Sequence, residues 1–71
     1  MPEYLLVNYP EPRQVVVDGV DQGLVGDLLE FEAGQHTVRL AGPVDFSPGL
    51  YAIWLVNTGP LDPLTISFTP K

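Results

Sequence analysis

The chain has no cysteine, so no disulfide can brace it and no thiolate can hold a zinc ion. It has one histidine, His36, which rules out an imidazole cluster. Positive charge is scarce: Arg13, Arg39 and Lys71 stand against nine acidic residues, for a net charge of −6. Nucleic-acid binders displace counterions from phosphates with basic side chains, so no nucleic acid partner is expected. Anionic membrane surfaces are disfavoured for the same reason. Long apolar runs are missing too. Tyr4 to Tyr9 is far too short to span a bilayer, so no membrane insertion is expected. No N-terminal segment has the basic, apolar, small-residue order of a signal peptide. Taken as full-length, such a chain is expected in the cytoplasm; taken as a fragment of a longer protein, it is expected at a cell surface or in a periplasm.

The length of 71 residues makes residues 1–71 a single domain, with no room for a second. Chains this small bury only about 60% of their unfolded surface. Stability must then come from apolar packing, which a hydrophobic content of 45% supports. Association could add to it. Eight prolines and seven glycines recur every few residues and leave no stretch suited to a long helix. The remaining pattern has period two. The expected fold is all-β: a small antiparallel β-sandwich of about six or seven short strands.

Glu3 to Tyr9 reads as a first strand, stopped by Pro10-Glu11-Pro12. In Gln14 to Asp18, Val15 and Val17 point one way and Val16 the other. Asp18-Gly19 sits between valines, the strongest short-range hairpin signal, because primed turns require positive φ. Val20 to Gln22 returns, and Leu24 to Asp27 reads as an irregular crossing. Leu28 to Glu32 alternates cleanly, with Leu29 and Phe31 inward. After a turn at Ala33-Gly34-Gln35, His36 to Ala41 returns with Val38 and Leu40 inward. Matching those phases as a hairpin sets Phe31 opposite His36 and Leu29 opposite Val38. It also brings Arg39 near Glu30 as an exposed ion pair. Leu64, Ile66 and Phe68 alternate with Thr65, Ser67 and Thr69 in a last strand.

Leu50 to Asn57 is the longest strand and is apolar on both faces, so it is covered twice or lies at an association surface. Packing Trp54 inward with Leu29, Val38 and Phe68 leaves Tyr51, Ile53 and Leu55 facing outward as an apolar stripe. Tyr4, Leu6 and Tyr9 then cover that stripe or extend it. Tyr51, Ile53, Leu55, Tyr4 and Tyr9 are therefore the candidate interaction surface.

Val17-Asp18-Gly19, then Gly23, then Gly34-Gln35-His36-Thr37-Val38 resemble the PEGA domain, with Gly42 and Phe46 approximating its later Gly-aromatic feature. The similarity runs roughly from Val15 to Phe68. It departs where the family has Thr-Pro after the second glycine, against Val25-Gly26 here, and Pro-Gly where this chain has Ala33-Gly34. The resemblance implies a small β-sandwich used as a repeat or appended module in binding, and it brings no catalytic residues.

The residues themselves point the same way. Nucleophilic catalysis needs a base beside a nucleophile and an acid to orient it, and the one histidine sits at a strand end, where bonding to nearby backbone explains it. Glu30 and Glu32 share an outward face without the cleft that acid–base work on sugars requires. Gly19, Gly23 and Gly26 open no helix and precede no Lys-Ser/Thr pair, so they form no phosphate loop. Asp18, Asp21 and Asp27 offer oxygens for calcium, but their spacing matches no EF-hand loop. The expectation is a non-enzymatic protein-interaction module with no cofactor, whose partner is another protein or a second copy. The alternatives are a carbohydrate or cell-surface ligand module, and a structural spacer repeat of a larger surface protein.

Overall fold

The computed structural model describes residues 2–71, and among them there is no helix. The strands are β1 (Pro2–Asn8), β2 (Gln14–Val17), β3 (Val20–Leu24), β4 (Leu28–Glu32), β5 (Gly34–Leu40), β6 (Phe46–Ser47), β7 (Tyr51–Leu55), β8 (Leu64–Ser67) and β9 (Thr69–Pro70). Two sheets form the sandwich, with strand orders β4-β1-β8 and β3-β2-β5-β7, and β6 pairs with β9 in a small extra ladder. The protein is thus a small all-β sandwich, as the punctuated period-two pattern predicts. One pair departs from the antiparallel expectation: β1 and β8 run parallel, with Leu5 beside Leu64 and Val7 beside Ile66.

The first hairpin follows from its turn residues. Asp18 at φ 52° and Gly19 at φ 83° both take positive φ, the type I′ signature, and join Val17 to Val20. The return strand runs further than the sequence suggests, to Leu24, because a bulge opposite Val15 and Val16 keeps the ladder going. Gly23 sits in that bulge at φ +156°, where a Cβ would lie 2.8 Å from the Leu29 side chain.

The expected hairpin between β4 and β5 does not form. Only Ala33 separates the two strands, and Gly34 at φ 133° turns the chain out of one sheet and into the other. In the ladder, Leu29 lies beside Leu5 and Phe31 beside Glu3, while Val38 lies between Val17 and Tyr51. Leu29 and Val38 do belong to one core, but they approach from opposite sheets. The expected Arg39–Glu30 pair is lost for the same reason. Arg39 instead reaches the carbonyl of Leu40, at 3.4 Å.

Core side chains come from both inner faces: Leu5, Val7, Leu29 and Ile66 from the first sheet, Val15, Val17, Val38, Leu40, Ile53 and Leu55 from the second. Phe46 and Phe68 complete it at one end. Each full burial of such a side chain is worth about 1.5–3 kcal/mol relative to exposure. Val16 is buried as well, on the opposite side of β2, between Asp21 and Arg39 on the neighbouring strands.

Candidate interaction surface

Strand β7 sets the site. Cross-strand partners share a face, and Tyr51 lies beside inward-facing Val38, His36 beside Ile53, and Gly34 beside Leu55. Tyr51, Ile53 and Leu55 therefore point inward. This reverses the sequence expectation: Ile53 and Leu55 are buried in the core, whereas Trp54 is 67% exposed. The alternation of an apolar strand cannot choose between its two faces. The choice falls to the fit of Tyr51, whose ring meets Phe68 edge-on at 5.0 Å and whose hydroxyl donates to the Ser67 carbonyl at 2.7 Å. That contact ties the side edge of the second sheet to β8 of the first.

The outward face of this region is thus Ala52 and Trp54 on β7, with Leu50 and Val56 flanking it at 51% and 49% exposure. Beside them on β5 stand Gln35, opposite Trp54, and Thr37, opposite Ala52. β7 has a neighbour on one side only, so this apolar face ends at an open sheet edge. The five residues singled out from the sequence do not form one surface. Tyr51, Ile53 and Leu55 line the core. Tyr4 is half-buried on the outer side of the first sheet, paired with Glu30 across the ladder. Burial, and then the charge of Glu30, push the Tyr4 phenol above its ordinary pKa. Tyr9 packs edge-on against Phe46 at 6.4 Å, beneath the Arg13 guanidinium.

Arg13 has no motif to announce it. Its Nη2 bonds both carboxylate oxygens of Asp45, at 3.0 and 3.2 Å, while Nη1 donates to the Ala41 carbonyl at 3.0 Å. The same guanidinium lies over the rings of Tyr9 and Phe46. It thereby anchors the loop between β5 and β6 to the aromatic end of the core.

Glu3 is a second polar feature that the sequence does not reveal. It is buried on β1, and its Oε1 accepts from both the Thr58 main-chain N–H and the Thr58 hydroxyl, each at 2.9 Å. The Thr58 Oγ1 in turn accepts from the Tyr4 N–H at 2.7 Å. These bonds hold the Glu3 carboxyl below its ordinary pKa.

His36 is held at both ring nitrogens. Nε2 lies 2.7 Å from the Glu32 carbonyl oxygen and Nδ1 lies 2.7 Å from Asp18 Oδ2. A carbonyl and an ionised carboxylate only accept, so both contacts are complete as hydrogen bonds when each ring nitrogen carries a proton, which favours the imidazolium form. The Glu32 carbonyl, and then Asp18, raise the His36 pKa accordingly. Asp18 is lowered, chiefly by the Thr37 N–H donating to its Oδ1 at 2.9 Å and then by His36. Its oxygens serve the turn. Asp27 accepts from the Leu24 N–H at 3.2 Å, so the three aspartates of the first hairpin region do not converge.

The fold and the face together define a small all-β sandwich with an uncovered apolar edge. No family model matches the chain, and no curated protein or solved structure matches it at a significant level. Among the described residues no helix is long and apolar enough to cross a membrane.

Proposed function

We propose that this chain is a non-catalytic, PEGA-like protein-interaction module that works through the outward face of β7. The carrying observation is Trp54, a large apolar side chain left 67% exposed on an edge strand while smaller neighbours fill the core. Contiguous exposed apolar surface at a sheet edge is where proteins meet other chains. The binding of His36 at both nitrogens supports the non-catalytic reading, because a base so engaged has no free lone pair for a substrate. The PEGA-like reading gains support from contact between the two motif segments: Asp18 of Val17-Asp18-Gly19 accepts from Thr37 and His36 of Gly34-Gln35-His36-Thr37-Val38. The test is affinity capture from the source cells with the native chain and Trp54→Lys. Partners retained by the native chain and lost with W54K are expected. Equal retention by both removes β7 as the working face.

Exposure of Trp54 also favours a second reading, a carbohydrate-binding surface, in which the indole stacks on a sugar ring and Gln35 bonds its hydroxyls. A blue shift of tryptophan fluorescence with a soluble glycan is its signature, and a silent glycan array removes it.

A further inference from the structure

Given the outward face of β7 as the interaction surface, on which the identity of its partner rests, we infer that the partner is a second copy of this chain. The two β7 strands pair antiparallel, joining two four-stranded sheets into one continuous sheet.

Edges of β-sheets recruit other strands unless something blocks them. Three of the four sandwich edges are blocked here. β3 carries Asp21 and a bulge, and β4 carries Glu30 and Glu32. β8 is entered from Pro63, and its Ser67 carbonyl is taken by the Tyr51 hydroxyl. β7 differs. From Leu50 to Asn57 there is no charge, no proline and no glycine. Among the described residues, the main chain of Tyr51–Leu55 makes no hydrogen bond outside its ladder with β5.

Charge selects the partner. Two chains of net charge −6 repel, so self-association is confined to where the acids are not. None of the nine acidic residues lies on β5 or β7. A copy arriving there meets the uncharged β7, with Gln35, Thr37 and Arg39 of β5 one strand behind it, whereas a basic partner would be drawn to β3 and β4 instead. Register supplies the fit. A two-fold axis at Ile53 sets Ala52 opposite Trp54 of the partner subunit and Leu50 opposite Val56 of the partner subunit. Large side chains then face small or medium ones along the outward side.

The join is small. The seven residues from Leu50 to Val56 at about 3.4 Å each give a contact about 24 Å long. Against a short axis of 17 Å, that covers on the order of 400 Å² per copy, below the ~800 Å² of a durable interface. The dimer is therefore weak and concentration-dependent.

Sedimentation velocity on the whole chain from about 10 μM to about 1 mM tests this. The average mass should climb from monomer toward dimer. Leu50→Lys and Val56→Glu should each weaken association about tenfold or more, because each site faces the other across the axis. The double variant L50K/V56E should restore it, since opposite charges then meet. Circular dichroism confirms that each variant stays folded. Single variants that weaken the dimer without rescue by the double overturn the register and the inference. A strict monomer up to about 1 mM overturns the second copy as partner, yet leaves the β7 face standing if W54K still loses captured proteins. A dimer indifferent to L50K and V56E forms on another surface and overturns the inference, while the β7 face itself falls only if W54K also retains every captured protein.

Discussion

His36 Nδ1 and Asp18 Oδ2 lie 2.7 Å apart, and through this contact the first hairpin turn grips the strand that has just crossed between sheets. The partner side chains differ in exposure, 14% for His36 and 51% for Asp18, so solvent reaches the pair from the aspartate side. The contact lies next to the Phe31 ring, 5.6 Å from the imidazole, at the corner where β4 gives way to β5.

Folding stability should therefore depend on pH in both directions. The His36 pKa is raised on folding, so its contribution is complete below the ordinary value of about 6.5 and fades as pH rises through the folded value. The Asp18 pKa is lowered, so its contribution is complete above about 3.9 and fades as pH falls through the folded value. Both are present between about pH 4 and about pH 6.5. Asp18→Asn keeps a residue that tolerates positive φ but removes the charge. By NMR titration the His36 pKa should fall, and in urea melts the alkaline loss of stability should begin at lower pH. An unchanged His36 titration would refute the pairing.

The Glu3–Thr58 contact predicts an acid-side effect of its own. Because the Glu3 pKa is lowered, its bonds stabilise the fold above the ordinary glutamate range and are lost on acidification. Thr58→Val removes the hydroxyl that serves both Glu3 and the Tyr4 N–H. It should lower Tm by about 5 °C or more at neutral pH and by less at pH 3. An equal drop at both pH values would mean that Glu3 takes no part.

Gly23→Ala should destabilise the fold by about 1–3 kcal/mol, since the new methyl group meets a packed Leu29 and the backbone sits at positive φ. Pairing it with Leu29→Ala frees the space. Denaturant melts of the double variant should then show less loss than the two single losses combined. Strict additivity would mean that the steric contact contributes nothing.

Orientation of β7 makes the sharpest contrast. Ile53→Glu buries a charge and should cost more than about 3 kcal/mol or unfold the chain. Trp54→Glu, one residue on, should change stability by about 1 kcal/mol or less. The opposite ranking in chemical denaturation would place Trp54 in the core.

Much of the local structure is legible in the sequence. Asp18-Gly19 names its own turn, because few other dipeptides accept two consecutive positive φ values. Leu29 with Phe31, and Val38 with Leu40, declare their inner faces because polar residues occupy the alternate positions. The interaction face is less legible. Every residue from Leu50 to Val56 is apolar, so alternation carries no information about which side is covered. Arg13 and Glu3 give no signal, since their partners Asp45 and Thr58 stand 32 and 55 residues away.

The amino-acid sequence by itself determined an all-β chain, the positions of its turns and the inner faces of its amphipathic strands. Proline and glycine placement and period-two polarity act locally, and they are complete within a few residues. Only the tertiary structure decided that β4 and β5 belong to different sheets, that β1 and β8 run parallel, and that Trp54 faces solvent. Those outcomes depend on which strand lies alongside which. Register with Val38 turned Tyr51 inward, and Trp54, on the opposite side of the pleat, was carried outward with Ala52.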